Sequence, residues 1–141
     1  MKELMISLLF WIGVNSSLPI EGVVLPKVEF ISSEEMHSMM NMKMPKDITE
    51  VQVKALYYIP DKIIYLRNDW NKTEALDRSV LLHELVHHLQ KNDEYECREK
   101  REEEAYELQF TYMREHNIEN PKRVLHIGDL FYTVMTSCYL M

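Results

Sequence analysis

The sequence lacks an excess of basic residues. Its 141 residues include 16 lysines and arginines against 23 aspartates and glutamates, a formal net charge of -7. A phosphate-binding face needs a basic patch and none is visible, so a nucleic-acid partner is disfavoured. The acidic residues cluster between Glu94 and Glu107. Such a run is usually the solvated face of a helix.

An apolar run long enough to cross a bilayer is also absent. The N-terminal run from Leu4 to Val14 follows Lys2 and is too short to span. Small polar residues then precede Pro19. This order is typical of a secretory signal peptide over residues 1–17 and predicts an exported protein, periplasmic or secreted, without stable membrane insertion after signal removal. The alternative is a cytoplasmic protein in which this segment is a buried N-terminal element.

Cysteine is scarce, since only Cys97 and Cys138 occur. In an exported protein, these two residues are expected to form a disulfide. The bond would close a loop of about 40 residues and stabilise the fold by about 3 to 4 kcal/mol in the chain-entropy model. In a reducing cytosol, they would be two buried thiols.

Repeats, low-complexity tracts and linkers are absent as well, and 46% of the residues are hydrophobic. We therefore predict a single α+β domain over residues 18–141. The predicted elements are a strand over 28–31, a short helix opened by the Ser-x-x-Glu capping box at 32–35, a β-hairpin of 51–58 and 62–66, a helix from Asn71 or Thr73 to 90, a helix over 98–116 and a last helix from 120 through 134.

The short helix after the capping box is rich in methionine. Its methionines lie beside His37 and are Met36, Met39, Met40, Met42 and Met44. Clustered methionines usually fill irregular gaps in a core, and residues 36–44 could also cover a cleft. The alternative is a soft-metal site for copper, which would bind Cu(I) more tightly than Zn(II).

A His-Glu-x-x-His motif, typical of zinc hydrolases, occupies residues 83–87, with the sequence His83, Glu84, Leu85, Val86, His87. Histidines four residues apart on a helix present both imidazoles on one face, within reach of a single ion. Glu84 lies about 100° around the helix from His83, so its carboxylate can sit beside the metal without binding it. That is the position of a general base for a zinc-bound water, whose pKa zinc lowers from about 15.7 towards about 7.

Apolar residues flank this motif on nearly all sides of the helix: Val80, Leu81, Leu82, Leu85, Val86 and Leu89. A helix that is apolar all round is a buried one. Buried histidines need partners, because an unsatisfied polar group there costs about 1 to 3 kcal/mol. A shared zinc ion would satisfy both side chains, whereas the alternative is an accidental pair of core histidines.

A catalytic zinc takes three protein ligands, so a third must come from outside this helix. In the predicted helix over 98–116, Glu102 is centred on the apolar face, whereas Glu103 lies on the opposite arc and Glu99 at the margin. A buried carboxylate needs a metal or a cation. We therefore assign Glu102 as the third ligand, with Glu103 and Glu99 as alternatives.

On His83, Glu84, His87 and Glu102 the sequence resembles the gluzincin metallopeptidases, in which a His-Glu-x-x-His helix is joined by a glutamate from a following helix. Ala105 matches the small residue that typically follows that glutamate by three positions. The phrases HELVHHLQ and EEEAYELQ are similar to those of very small bacterial and phage-borne gluzincin-like proteins. The resemblance covers residues 51–116.

The resemblance implies a minimal zincin-like metallopeptidase domain with a small twisted sheet over the active-site helix. Residues 63–66 would be the edge strand that offers backbone groups to an extended peptide or protein substrate. Many relatives carry aspartate where this chain has Tyr106, which could hydrogen-bond a zinc-ligating histidine in place of the usual orienting carboxylate.

The expected function is therefore that of a zinc-dependent hydrolase, a peptidase in which Glu84 deprotonates the attacking water and then protonates the leaving amine. His126, Tyr112 and Tyr132 are candidates for stabilising the oxyanion. The alternative is a catalytically silent metal-binding or inhibitory module on the same fold, in which the fourth coordination position is closed.

Overall fold

The computed structural model describes residues 1–41 and 54–138. The chain forms helices and one small sheet, which confirms the predicted α+β class. A 3₁₀ turn at Asn92–Glu94 separates the two long central helices. The elements in chain order are α1 (Lys2–Asn15), β1 (Lys27–Ile31), α2 (Ser33–Asn41), β2 (Ala55–Tyr58), β3 (Ile63–Arg67), α3 (Ala75–Leu89), α4 (Arg98–Glu115), α5 (Pro121–Val124) and α6 (Asp129–Thr136).

The three described strands form one sheet in the order β1-β3-β2. β2 and β3 are antiparallel, with Ala55 opposite Leu66, so the predicted hairpin is confirmed; residues 51–53 of its first strand lie outside the described residues. β1 runs parallel to β3 and pairs Lys27 with Ile63. The prediction that residues 63–66 are an edge strand is therefore wrong, because both other strands hydrogen-bond to β3 and place it in the centre.

β2 is the strand that packs against α3. Among the described strands it pairs only with β3 and so lies at an edge of the sheet. The strand that could offer backbone groups beside α3 is thus β2 and not β3.

The predicted capping box between β1 and α2 is present. The Glu35 amide donates to Ser32 Oγ at 3.1 Å, and the Ser32 amide donates to Glu35 Oε1 at 3.3 Å. In α2, Met36 and Met40 are buried, as a packing role requires. Met42 and Met44 lie outside the described residues, so the copper hypothesis is not tested there.

Helices α3 and α4 form close to the predicted bounds. Asn71 and Thr73 make a turn before α3, in which the Thr73 amide donates to Asn71 Oδ1 at 3.0 Å, and the helix itself begins at Ala75. α4 ends at Glu115, one residue before the predicted end. Side chains from α1, β2, β3, α3 and α4 form the main core.

The predicted last helix over residues 120–134 is wrong in its middle. It is divided into α5 and α6, with the break at residues 125–128. His126 has a φ of 57°, which no α-helix accepts, and Gly128 is the N-cap of α6. Glycine has a low helix propensity, which favours a break at Gly128. The chain turns at this break, and α6 packs against α4.

Cys97 and Cys138 form a disulfide with their Cα atoms 5.8 Å apart, so the predicted pairing is confirmed. Cys97 is the N-cap of α4, and Cys138 follows α6. The bond therefore ties the start of the helix that carries Glu102 to the C-terminal end of the described chain.

The predicted signal peptide coincides with α1. One face of this helix packs on α3 and buries Met5, Leu8, Leu9 and Ile12, while Phe10 and Val14 are exposed on the other. Trp11 Nε1 also donates to Glu115 Oε2 at 2.6 Å. Cleavage near residue 17 stays a prediction, and it would uncover this face of α3. Within residues 1–41 and 54–138, none of the helices has the length and apolar character needed to cross a membrane.

Candidate metal centre

His83 and His87 lie on one face of α3, as their spacing requires. Their Nε2 atoms are 3.2 Å apart and their ring centroids 4.9 Å apart. Leucines and valines bury the other sides of the helix. The helix therefore holds two imidazoles rigidly with the same nitrogen of each directed to one point.

Glu102 meets these nitrogens from α4. Its Oε2 is 3.6 Å from His83 Nε2, and its Oε1 contacts His87 Nε2 directly. Within residues 1–41 and 54–138, these three residues are the one group of histidine, cysteine and carboxylate side chains suited to holding a metal ion. Glu103 instead pairs with Lys100 at 3.2 Å, and Glu99 lies outside the group.

Two of the three donor separations are close to those in a zinc site, while the third pair, His87 Nε2 and Glu102 Oε1, is in direct contact. Two ligand atoms, each about 2.1 Å from a tetrahedral ion, are separated by about 3.4 Å. The separations of 3.2 Å between the imidazole nitrogens and 3.6 Å between His83 Nε2 and Glu102 Oε2 lie on either side of that value. Imidazole nitrogen and carboxylate oxygen are also donors that zinc accepts. The residues present therefore fit a zinc ion.

His87 and Glu102 form an ion pair in the protein without metal. Burial alone would lower the pKa of His87, but the hydrogen bond and charge of Glu102, together with the charge of Glu84, raise it to about 9. Burial opposes ionisation of Glu102, yet hydrogen bonds from His83 and His87 hold its pKa well below the usual value. A divalent cation would replace the proton that these groups share.

Glu84 is half-buried beside the histidines and is not one of the converging donors. Burial raises the pKa of its carboxyl group, while the nearby charges of His83 and His87 and a hydrogen bond from the backbone of Tyr57 act in the opposite direction. Tyr57 is part of β2, so this edge strand passes close to the Glu84 carboxylate. A carboxylate placed in this way can exchange a proton with a molecule held at the three donors.

Two glutamines lie behind the histidines. Gln109 Oε1 is 2.8 Å from His83 Nδ1, and Gln90 Oε1 is 2.8 Å from His87 Nδ1. The sequence analysis did not assign them a role. Gln109 could have been found, because a polar residue on the apolar face of α4 needs a buried partner.

The sequence analysis named three tyrosines that could act at the metal site, and only one of them contacts a histidine of the three-donor group. Tyr106 lies against His83, with ring centroids 4.4 Å apart. Tyr112 accepts a hydrogen bond from Arg78 Nε at 2.9 Å, and Tyr132 donates to Glu107 at 2.5 Å.

The tyrosine ring at the histidines is thus that of Tyr106, which sequence reasoning had considered only as a partner for a histidine. His126, the remaining candidate for the oxyanion, is exposed in the turn before α6.

A second histidine contact joins β2 to α3. The Tyr57 hydroxyl is 2.8 Å from His88 Nδ1, and His88 Nε2 is 2.7 Å from the carbonyl oxygen of Val24. Because a carbonyl can only accept, His88 Nε2 carries the proton and its Nδ1 accepts from Tyr57. His88 therefore fixes the edge strand over the helix and takes no part in the three-donor group.

The fold and the site together define a small α+β protein with a histidine–carboxylate centre suited to a divalent metal. The profile of a family described as a domain of unknown function (DUF6647) matches residues 1–131. The chain belongs to this family, since the match spans most of its length. No curated protein and no solved structure shows significant similarity to it.

Proposed function

We propose that this protein is a zinc-dependent hydrolase of the gluzincin type that cleaves peptide bonds. His83, His87 and Glu102 would hold the zinc ion, and Glu84 would be the general base. The observation that carries the proposal is the convergence of three donors within reach of one ion, with a further, non-ligating carboxylate beside them. A purely structural site has no need of that carboxylate.

When bound, zinc would act as a Lewis acid that polarises the scissile carbonyl group and lowers the pKa of water from about 15.7 towards about 7. Glu84 would take the proton from the attacking water and return it to the leaving amine. Burial raises the pKa of Glu84, which makes its carboxylate a stronger base towards that water.

Substrate would be oriented by groups on β2 and α4. An extended peptide can add to a strand at the edge of a sheet, and β2, an edge strand of the described sheet, runs beside Glu84. Tyr106, at the His83 ring, is the hydrogen-bond donor that we assign to the developing oxyanion.

We also propose that the protein works after export. The Cys97–Cys138 disulfide supports this location, because such bonds persist in oxidising compartments and are rare in the cytosol.

The proposal is tested by the zinc content of matched variants. Glu102→Gln should lose bound zinc, whereas Glu103→Gln, which alters the neighbouring exposed carboxylate, should keep it. Likewise His87→Ala should lose zinc and His37→Ala, on the exposed face of α2, should not. If the parent protein takes up no zinc, or if the Glu102 and His87 variants bind it as tightly as the parent, the proposal is wrong.

A further inference from the structure

The glutamines behind the two histidines decide which imidazole nitrogen can bind a metal. A neutral imidazole carries its proton on one nitrogen and a lone pair on the other. Gln109 and Gln90 each place an amide oxygen 2.8 Å from the Nδ1 of a histidine. A proton on Nδ1 is then hydrogen-bonded, which leaves Nε2, the atom that faces Glu102, as the nitrogen that exchanges its proton for a cation.

The orientation of the Gln109 amide follows from its other neighbour. Ser79 Oγ donates its single proton to the carbonyl of Leu76 at 2.6 Å, so towards Gln109 it can only accept. Gln109 Nε2 lies 3.2 Å from that oxygen and donates to it. The amide oxygen must therefore face His83. Because Ser79, His83 and Gln109 are all buried, a flipped amide would lose both bonds with little water to replace them.

The orientation of the Gln90 amide is fixed in the same way. Its Nε2 lies 2.9 Å from the carbonyl oxygen of Arg101 and 2.9 Å from Glu104 Oε1, and it donates to both. The carbonyl can only accept, so the amide oxygen of Gln90 is left for His87. Arg101 immediately precedes Glu102, and this bond therefore also ties the end of α3 to the turn that carries the third donor.

We propose that Gln109 and Gln90 are positioning residues, which fix the Nδ1-protonated tautomers of His83 and His87 and so direct both Nε2 lone pairs at one divalent cation. This inference rests on the proposed zinc site for its purpose, but the hydrogen bonds from Nδ1 to the glutamines are a property of the protein itself. Glutamine is neutral, so the two residues orient the imidazoles without adding negative charge to a site that already holds Glu84 and Glu102. A carboxylate in their place would make each imidazole a stronger base.

The first test detects the Nδ1 protons in the metal-free protein. Proton and nitrogen NMR spectra should show a proton on Nδ1 of both imidazoles that exchanges slowly with water because it is hydrogen-bonded, and Gln109→Leu or Gln90→Leu should speed this exchange at its own histidine. An Nδ1 without a proton, or an exchange rate unchanged in the leucine variants, would overturn the assignment. This outcome does not depend on zinc binding, so failure of the proposed hydrolase function would leave it standing.

The second test measures zinc affinity by competition with a chromogenic chelator. Gln109→Leu should bind zinc about 10- to 100-fold more weakly, with a similar loss for Gln90→Leu. Gln109→Glu, which restores an acceptor for His83, should recover the affinity. Thermal unfolding of the metal-free variants separates this effect from misfolding. Folded leucine variants with the parent's affinity would show that the glutamines serve packing alone.

Discussion

The phenol ring of Tyr106 lies edge-on against the imidazole of His83, with the centroids 4.4 Å apart and the planes at 68°. Burial and the nearby carboxylates of Glu102 and Glu84 raise the pKa of its hydroxyl group, so Tyr106 stays protonated as the pH rises well above neutral. A neutral phenol beside two carboxylates is a hydrogen-bond donor whose proton is available to a substrate oxygen.

Removal of this hydroxyl should slow turnover and leave metal binding intact. Tyr106→Phe is expected to lower kcat by about 100- to 1000-fold, the usual cost of losing one oxyanion donor. Tyr132→Phe is the matched control, because that hydroxyl already donates to Glu107 and should affect kcat little. Steady-state kinetics on a cleaved peptide and the zinc content of both variants check the prediction. A kcat in Tyr106→Phe equal to that of the parent would show that Tyr106 is not the oxyanion donor.

The raised pKa of His87 predicts how stability of the metal-free protein depends on pH. A group with a folded-state pKa of about 9, against an ordinary 6.5, stabilises the fold fully below pH 6.5 and loses that contribution as the pH rises through about 9. The free energy of unfolding in urea with a chelator present should therefore fall across this window. His87→Gln should flatten this fall, and a pH-independent parent would contradict the assigned ion pair.

The disulfide should carry a large share of stability. Cys97 and Cys138 are 41 residues apart, and the chain-entropy model gives about 4 kcal/mol for closing such a loop. The double variant Cys97→Ser, Cys138→Ser should lose about this much free energy of unfolding. A reductant should destabilise the parent equally and leave the double variant unchanged. Equal stability of parent and variant would show that the disulfide does not contribute to the free energy of unfolding.

Helix α1 should stabilise the fold for as long as it remains part of the chain. Four of its side chains are buried against the core, at about 1.5 to 3 kcal/mol each. That sum is comparable to the free energy of unfolding of a whole domain, which is about 5 to 15 kcal/mol. A chain starting at residue 18 should therefore unfold at markedly lower temperature.

Point variants refine this test of α1. Leu8→Ala, in the buried face, should destabilise the full chain, and Val14→Ala, on the exposed face, should not. A shortened chain as stable as the full one would instead fit removal of residues 1–17 as a signal peptide.

Local patterns in the sequence were sufficient to place the candidate site. The spacing of His83 and His87 is read within a single helix, and Glu102 follows from the apolar face of α4. Residues on that face are indeed buried, including Ala105 and Leu108. Helical periodicity is a local property, which is why these assignments required no knowledge of how the helices pack.

Contacts between distant segments were not predictable in the same way. The hairpin of β2 and β3 has the same sequence pattern whether β3 lies at an edge or in the centre, and the parallel pairing of β1 with β3 decides this. The two glutamines likewise have no periodic signal that names their partners. Their role depends on a serine hydroxyl, a backbone carbonyl and a carboxylate that meet them only in the folded protein.

The most direct test of the central claim compares the parent protein with Glu84→Gln for zinc content and for cleavage of a broad peptide mixture. Glu84 is outside the three-donor group, so both proteins should carry one zinc ion, and only the parent should cleave. Zinc in both proteins with cleavage by neither would favour a catalytically silent metal-binding module, and absence of zinc from both would contradict the metallohydrolase assignment.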